Sequence, residues 1–169
     1  MIRRRDERGQ TLVELALILP IFLMLLVGIF DLGHVVWTND LVSNAAREGA
    51  RYSIVHGGSA TTDCPVGPDS GEAIIPTPSA DCPFPSPLKD GIYEAARDWT
   101  NMGGGAVTVT ACYWHTTPCS GDTDEAGATN ARGMRVTVTV TADVHLIAPG
   151  LIGFDQVSLS SSSTMLVNH

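Results

Sequence analysis

The sequence predicts an α+β protein: a long N-terminal helix that begins as a membrane anchor, followed by a small domain with a second helix and a short antiparallel sheet. Three observations predict it. An apolar run from Leu15 to Phe30 follows a basic stretch. Small and apolar residues then continue at helical spacing, and later apolar residues alternate with threonine and serine. A chain of 169 residues accommodates one anchor and one small domain.

The first nine residues are basic, with four arginines and two acids. Basic residues before an apolar segment stay on the cytoplasmic side of the membrane, so the N-terminus is expected inside and the rest of the chain outside. The formal net charge of the chain is -8, and the part after these nine residues is therefore strongly acidic. An acidic domain repels phosphates, which disfavours nucleic acid as a partner.

The apolar run spans 16 residues, slightly fewer than the roughly 20 needed to cross a bilayer. It reaches that length only by including Glu14, Asp31 and His34, and we expect the membrane part over about residues 12–36. A secretory signal peptide has the same basic and apolar regions, but no pair of small residues follows the run closely as a cleavage site. Removal by an ordinary signal peptidase is therefore disfavoured, whereas a permanent anchor remains open.

Helical spacing of small and apolar residues continues to about Val55, so one helix over 10–56 is predicted to leave the membrane and enter the exported part. Its outer half carries a stripe of small residues that lets another surface come close: Ala46, Gly49, Ala50 and Ser53. Packing of this stripe within its own domain is favoured over a contact between subunits.

A segment rich in proline and cysteine follows over residues 57–87, where long regular structure is unfavourable because proline lacks a backbone donor. The chain has four cysteines, which in an exported domain indicate two disulfides with three possible pairings. We expect each bridge to close a local loop, pairing Cys64 with Cys82 and Cys112 with Cys119. The absence of a C-x-x-C motif disfavours a zinc site.

The remaining segment, 88–169, contains the second helix and the strands. An amphipathic pattern from about Pro87 to Met102 predicts the helix, and a run of three glycines ends it. Apolar residues alternate with threonine or serine from Val107, again from Val136 and again from Val157. This alternation predicts three strands, each with one apolar face and one face of hydroxyl groups. Such strands are typical of an antiparallel meander whose apolar face packs on a helix.

No residue pattern indicates catalysis. None of the five histidines stands in a recognisable triad or metal pair, and no phosphate-binding glycine loop follows a strand. The acidic segment GDTDEAG, residues 121–127, begins like a calcium loop, but Gly133 stands where the loop requires a bidentate acid. A solvated loop is favoured there, and we expect neither an enzyme nor a cofactor or metal site.

The position of Glu14 carries the functional argument. Gly9, four residues and then Glu14 precede the apolar helix, as G-QTLV-E-LALILP. This pattern resembles the class III signal of type IV prepilins, in which a membrane peptidase cuts after the glycine and the glutamate becomes the fifth mature residue. The resemblance implies a cytoplasmic leader over residues 1–9 and a mature chain that starts at Gln10.

The wider N-terminal sequence is similar to the TadE-like pseudopilins of tight-adherence (Tad) pilus systems. The similarity covers residues 8–53 and includes the apolar helix, Asp31 and Gly33 after it, and the A-A-R-E-G-A-R block at Ala45–Arg51. It implies a minor pilin or pseudopilin in which Glu14 docks subunits. The implied partners are other pilins, the inner-membrane assembly platform, a prepilin peptidase and, before assembly, the lipid bilayer. The alternative is an anchored extracytoplasmic binding domain that never enters a filament.

Overall fold

The computed structural model describes residues 7–56, 67–68, 89–100, 106–119, 121–147 and 156–168. These contain two helices and three strands: α1 (Glu7–Val55), α2 (Asp90–Thr100), β1 (Val107–Trp114), β2 (Arg135–His145) and β3 (Gln156–Leu166). The predicted α+β class is confirmed. Most of the segment 57–87, like the residues predicted at both ends of α2, lies outside the described residues.

The chain divides into two compact units, which are described separately. An anchor unit consists of Met1–Trp37 and His145–Val157, and a sheet unit consists of Thr38–Val144 and Ser158–His169. Helix α1 contributes to both units without a break.

In the anchor unit, α1 continues through Pro20. Proline is tolerated in membrane helices when neighbouring groups satisfy the freed carbonyl. The side chains from Leu12 to Leu25 are exposed, and the most apolar window of the helix has a mean hydropathy of 2.8. An apolar helix of this length with an uncovered surface fits a membrane anchor.

The core of the sheet unit lies between the two helices and one face of the sheet. The end of α1 and one face of α2 supply small and apolar side chains that are less than a tenth exposed, and β1 and β2 supply the opposite layer. Among these core residues are Val42, Ala45, Ala46, Ala50, Ile92, Ala96, Val109, Ala111, Tyr113, Val136, Val138 and Val140. Since α1 provides part of this core, the domain cannot form its helical layer without the end of the anchor helix.

The sheet is an antiparallel meander in the order β1, β2, β3. Val107 of β1 stands opposite Ala142 of β2, and Trp114 stands opposite Arg135. The burial of β2 alternates residue by residue, with its valines in the core and its threonines on the other face. The two predicted faces, one apolar and one bearing hydroxyls, are therefore present because side chains alternate along a strand.

Candidate functional site

The start of α1 holds the residues to which the resemblance assigned processing and docking. Gly9, Gln10 and Glu14 are exposed, and they lie on one side of the helix with Val13 and Leu17. The carboxylate of Glu14 makes no hydrogen bond or ion pair with any described residue. A carboxylate within an apolar helix costs about 2 to 3 kcal/mol in a bilayer. Its geometry therefore leaves Glu14 available for a cation or donor from another molecule.

The aspartate that follows the apolar run has a different environment. Asp31 is only 7% exposed, and its two carboxylate oxygens accept hydrogen bonds from the backbone N–H of Ile147 at 3.2 and 3.1 Å. The contact joins residues 116 positions apart, both in the anchor unit. Asp31 thus holds the start of the β2–β3 connection against α1, a contact that could not be predicted from the position of the acid alone.

The small-residue stripe lies inside the sheet unit. Ala46, Ala50 and Ser53 are fully buried. A Cβ atom on Gly49 would lie 3.0 Å from the Val138 side chain on β2 and 3.2 Å from Cβ of Ala96 on α2. Small side chains at these positions therefore let α1 approach both the sheet and α2, and the stripe is occupied by the chain's own packing.

The acidic segment after β1 protects the free edge of the sheet. The backbone N–H groups of Ala111 and Tyr113 donate to Asp122 at 2.9 Å and Asp124 at 2.8 Å, and that of His115 donates to Glu125. These are alternate N–H groups on the side of β1 that faces away from β2. We call Asp122, Asp124 and Glu125 the edge cap.

Lys89, at the start of α2, completes the edge cap. Its ammonium group donates to the carbonyl oxygens of Ala111 at 2.6 Å and Asp122 at 2.7 Å, and it forms an ion pair with Asp124 at 2.8 Å. The carboxylates are thus occupied by backbone donors, by one lysine and by the hydroxyl groups of Tyr93 and Thr116. Among the described residues, no group of three or more potential ligands is placed to hold a metal ion.

Hydrogen bonding to Glu125 gives a prediction for pH dependence. The Thr116 hydroxyl and the N–H groups of His115, Thr116 and Thr117 donate to its carboxylate and lower its pKa from 4.5 to about 2. A depressed pKa means that the stabilisation is present above about 4.5 and is lost as the pH falls toward 2. We expect the amide NMR signals of Thr116 and Thr117 to titrate near pH 2.

Two variants check this assignment. In Glu125→Gln the titration of these backbone amide signals should disappear, because the glutamine side chain does not ionise. In Glu94→Gln, which removes an exposed acid on α2, the titration should persist. An unchanged titration in Glu125→Gln would contradict the assignment.

One of the two predicted disulfides lies among the described residues. Cys112 at the end of β1 is bonded to Cys119, with 6.2 Å between their Cα atoms. It closes the turn that leaves β1 toward the edge cap. Cys64 and Cys82 lie outside the described residues.

Comparison with known proteins locates a family signature in α1. No curated protein and no solved structure matches the chain. A match to a family model nevertheless covers the part of α1 that carries Gly9, Glu14, Asp31 and three of the four stripe residues, and it ends before Ser53. Residues 9–51 match the family model of TadE-like proteins.

Proposed function

We propose that this protein is a minor pilin or pseudopilin that takes part in Tad pilus assembly after a prepilin peptidase cuts between Gly9 and Gln10. The TadE-like match implies a pilin-like protein associated with a Tad pilus. Within the matched residues, the observation that carries the proposal is Glu14, an exposed acid at the fifth position after Gly9 on an apolar helix. The protein acts through assembly and performs no catalysis of its own.

The cleavage position is physically reasonable for a peptidase that acts at a membrane surface. Gly9 lies near the start of α1 as the structure describes it, two residues after Glu7. Glycine destabilises a helix by about 1 kcal/mol relative to alanine, so this turn opens more easily than those that follow. An addition at Gly9 would meet no atom within 4 Å, which leaves the peptide accessible.

The proposed topology places the leader in the cytoplasm and the sheet unit outside. The arginines of the leader favour this orientation by the positive-inside rule. Before assembly α1 anchors the subunit in the cytoplasmic membrane, and during assembly Glu14 meets a neighbouring pilin. A buried carboxylate is favourable only with a cation or several donors, so Glu14 would select a docked register over other positions.

The test is the intact mass of the full chain isolated from membranes, with and without its cognate prepilin peptidase. A peptidase-dependent start at Gln10 supports the proposal. Gly9→Val should block this change, because a β-branched residue no longer offers the peptidase an open backbone, whereas Gly28→Val should not. An unprocessed chain in both samples would refute the proposal and favour an anchored binding domain outside any filament.

The same spectra report the chemical state of the new terminus. An N-terminal glutamine can cyclise to pyroglutamate with loss of ammonia, which removes the positive charge. A mass lower by one ammonia would show that Glu14 does not pair with a terminal ammonium and takes a neutral donor instead. A free amine would leave the terminal ammonium as its partner.

A further inference from the structure

The third strand offers an open edge for another strand. β3 (Gln156–Leu166) is the last strand of the sheet and contains neither a charged residue nor a proline. Natural proteins usually protect a long edge strand with charges, prolines or a covering segment. Within the part of the chain that the structure describes, no backbone group bonds to the side of β3 that faces away from β2. We call this side the outer edge of β3.

The positions that face the outer edge follow from the pairing with β2. Just beyond β3, Val167 donates to the carbonyl of Met134 at 2.8 Å and accepts from Gly133 at 2.9 Å, so its backbone faces β2. Backbone direction alternates along an antiparallel strand. The even-numbered residues of β3 therefore direct their N–H and C=O groups outward: Gln156, Ser158, Ser160, Ser162, Thr164 and Leu166.

The side chains of these outward positions are already ordered. Thr164, Ser162 and Ser160 form hydrogen bonds with Thr137, Thr139 and Thr141 of β2 at 2.9, 2.9 and 3.3 Å. Ser158 donates to Asp143 at 2.6 Å. This row of hydrogen bonds holds β3 against β2, so a partner strand would meet a prearranged edge, and β3 would lose little conformational freedom by pairing.

The two edges of the sheet differ in a way that limits assembly. The edge cap and Lys89 occupy the free edge of β1, whereas none of the described side chains caps the outer edge of β3 in this way. A sheet with one open edge can pair with one other sheet, and the resulting pair has no open edge left. Edge pairing through β3 therefore produces a pair of sheets and not a growing fibre.

The sequence of β3 is complementary to itself when two copies run antiparallel. With Ser162 on the twofold axis, Ser160 stands opposite Thr164 of the second copy, which continues the row of hydroxyls. On the other face Leu159 stands opposite Met165 of the second copy, and Ser161 opposite Ser163. The chain has a net charge of -8, but this edge brings no like charges together.

We propose that two copies of this chain pair through the outer edges of β3 to form a continuous six-stranded sheet with Ser162 on the twofold axis. Each Ser162 exchanges N–H to carbonyl hydrogen bonds with its counterpart, and the pairs on either side repeat this pattern. The pairing joins two anchored subunits before or apart from any filament. It does not depend on processing at Gly9.

The first test is a disulfide scan of the full chain in membranes. In the proposed register the Cα atoms of the two Ser162 residues are about 5.5 Å apart, within the range a disulfide requires. Ser162→Cys should therefore form a reducible dimer under mild oxidation. In the matched control, Ser160→Cys, the two introduced cysteines lie about 13 Å apart along the strands. We therefore expect at least about tenfold less disulfide-linked dimer than with Ser162→Cys.

The second test separates edge pairing from association through α1. The purified full chain in detergent should be a dimer by light scattering, and Ser162→Lys should weaken the dimer at least about tenfold because two charges meet on the axis. Thr108→Lys adds the same charge to the hydroxyl face at β1 and should leave the dimer intact. A monomeric parent chain, a dimer that survives Ser162→Lys, or equal cross-linking at positions 160 and 162 would overturn the proposal. Cross-linking of the Ser162→Cys variant to a different protein would also overturn the proposal.

Discussion

Glu14→Ala should leave the chain processed at Gly9 and reduce surface pili by more than about tenfold. An exposed carboxylate without a partner among the described residues is unfavourable in a lone anchor, and removal of a buried ion-pair partner typically costs about 3 to 5 kcal/mol. A loss of that size at a subunit contact weakens association by more than about a hundredfold. The measurement is the number of piliated cells, with the amount and N-terminus of the membrane protein determined in parallel.

The variant Glu94→Ala provides the control for loss of an acid. Glu94 lies on α2 and forms an exposed ion pair with Arg97 at 3.3 Å, so its removal should not affect pili. Normal piliation in Glu14→Ala would show that Glu14 has no docking role. A simple anchor would tolerate the alanine or insert slightly better.

Gly49→Val should destabilise the sheet unit by about 1 to 3 kcal/mol, the usual cost of overpacking a filled core. The position is fully enclosed, since the added Cβ would already lie 3.0 Å from Val138 and 3.2 Å from Ala96. The two γ carbons of valine need further space, which requires α1 to move away from β2 or α2. The measurement is the midpoint of denaturant unfolding, followed by a signal from the tyrosines of this unit.

Gly28→Val is the matched control on the same helix. No atom lies within 4 Å of a Cβ added at Gly28, so the variant should unfold at the same midpoint as the parent chain. Equal effects of the two substitutions would contradict the close approach of α1 to the sheet.

The elements were predictable because their signals are local. The apolar run and the small residues after it predicted α1 to about Val55, and alternation predicted each strand close to its observed position. The contact between Asp31 and Ile147 was not predictable, since nothing in either residue specifies a partner 116 positions away. The edge cap shows the same limit: three acids in a loop indicated solvation or calcium, and only the position of the loop beside β1 reveals their backbone partners.

The two proposed interaction sites, at the start of α1 and at the edge of β3, differ in how far the sequence alone could predict them. Glycine and glutamate at the start of α1 formed a recognisable spacing, so the processing and docking positions could be proposed from sequence. The open edge of β3 could not, because serine and threonine alternate equally well in a central strand. Strand order, which depends on the whole topology, determines which strand lies at the edge.

The contribution of α1 to the core also determines where a protease could cut this helix and still release a folded domain. A protease that cut just before Thr38 would leave Val42, Ala45, Ala46 and Ala50 attached to the sheet unit, and a soluble folded fragment should result. A cut beyond Ala50 would remove this layer and expose the valines of β1 and β2. We therefore expect an intact sheet unit only from cuts in α1 before Val42, and we expect a cut beyond Ala50 to give a fragment that aggregates.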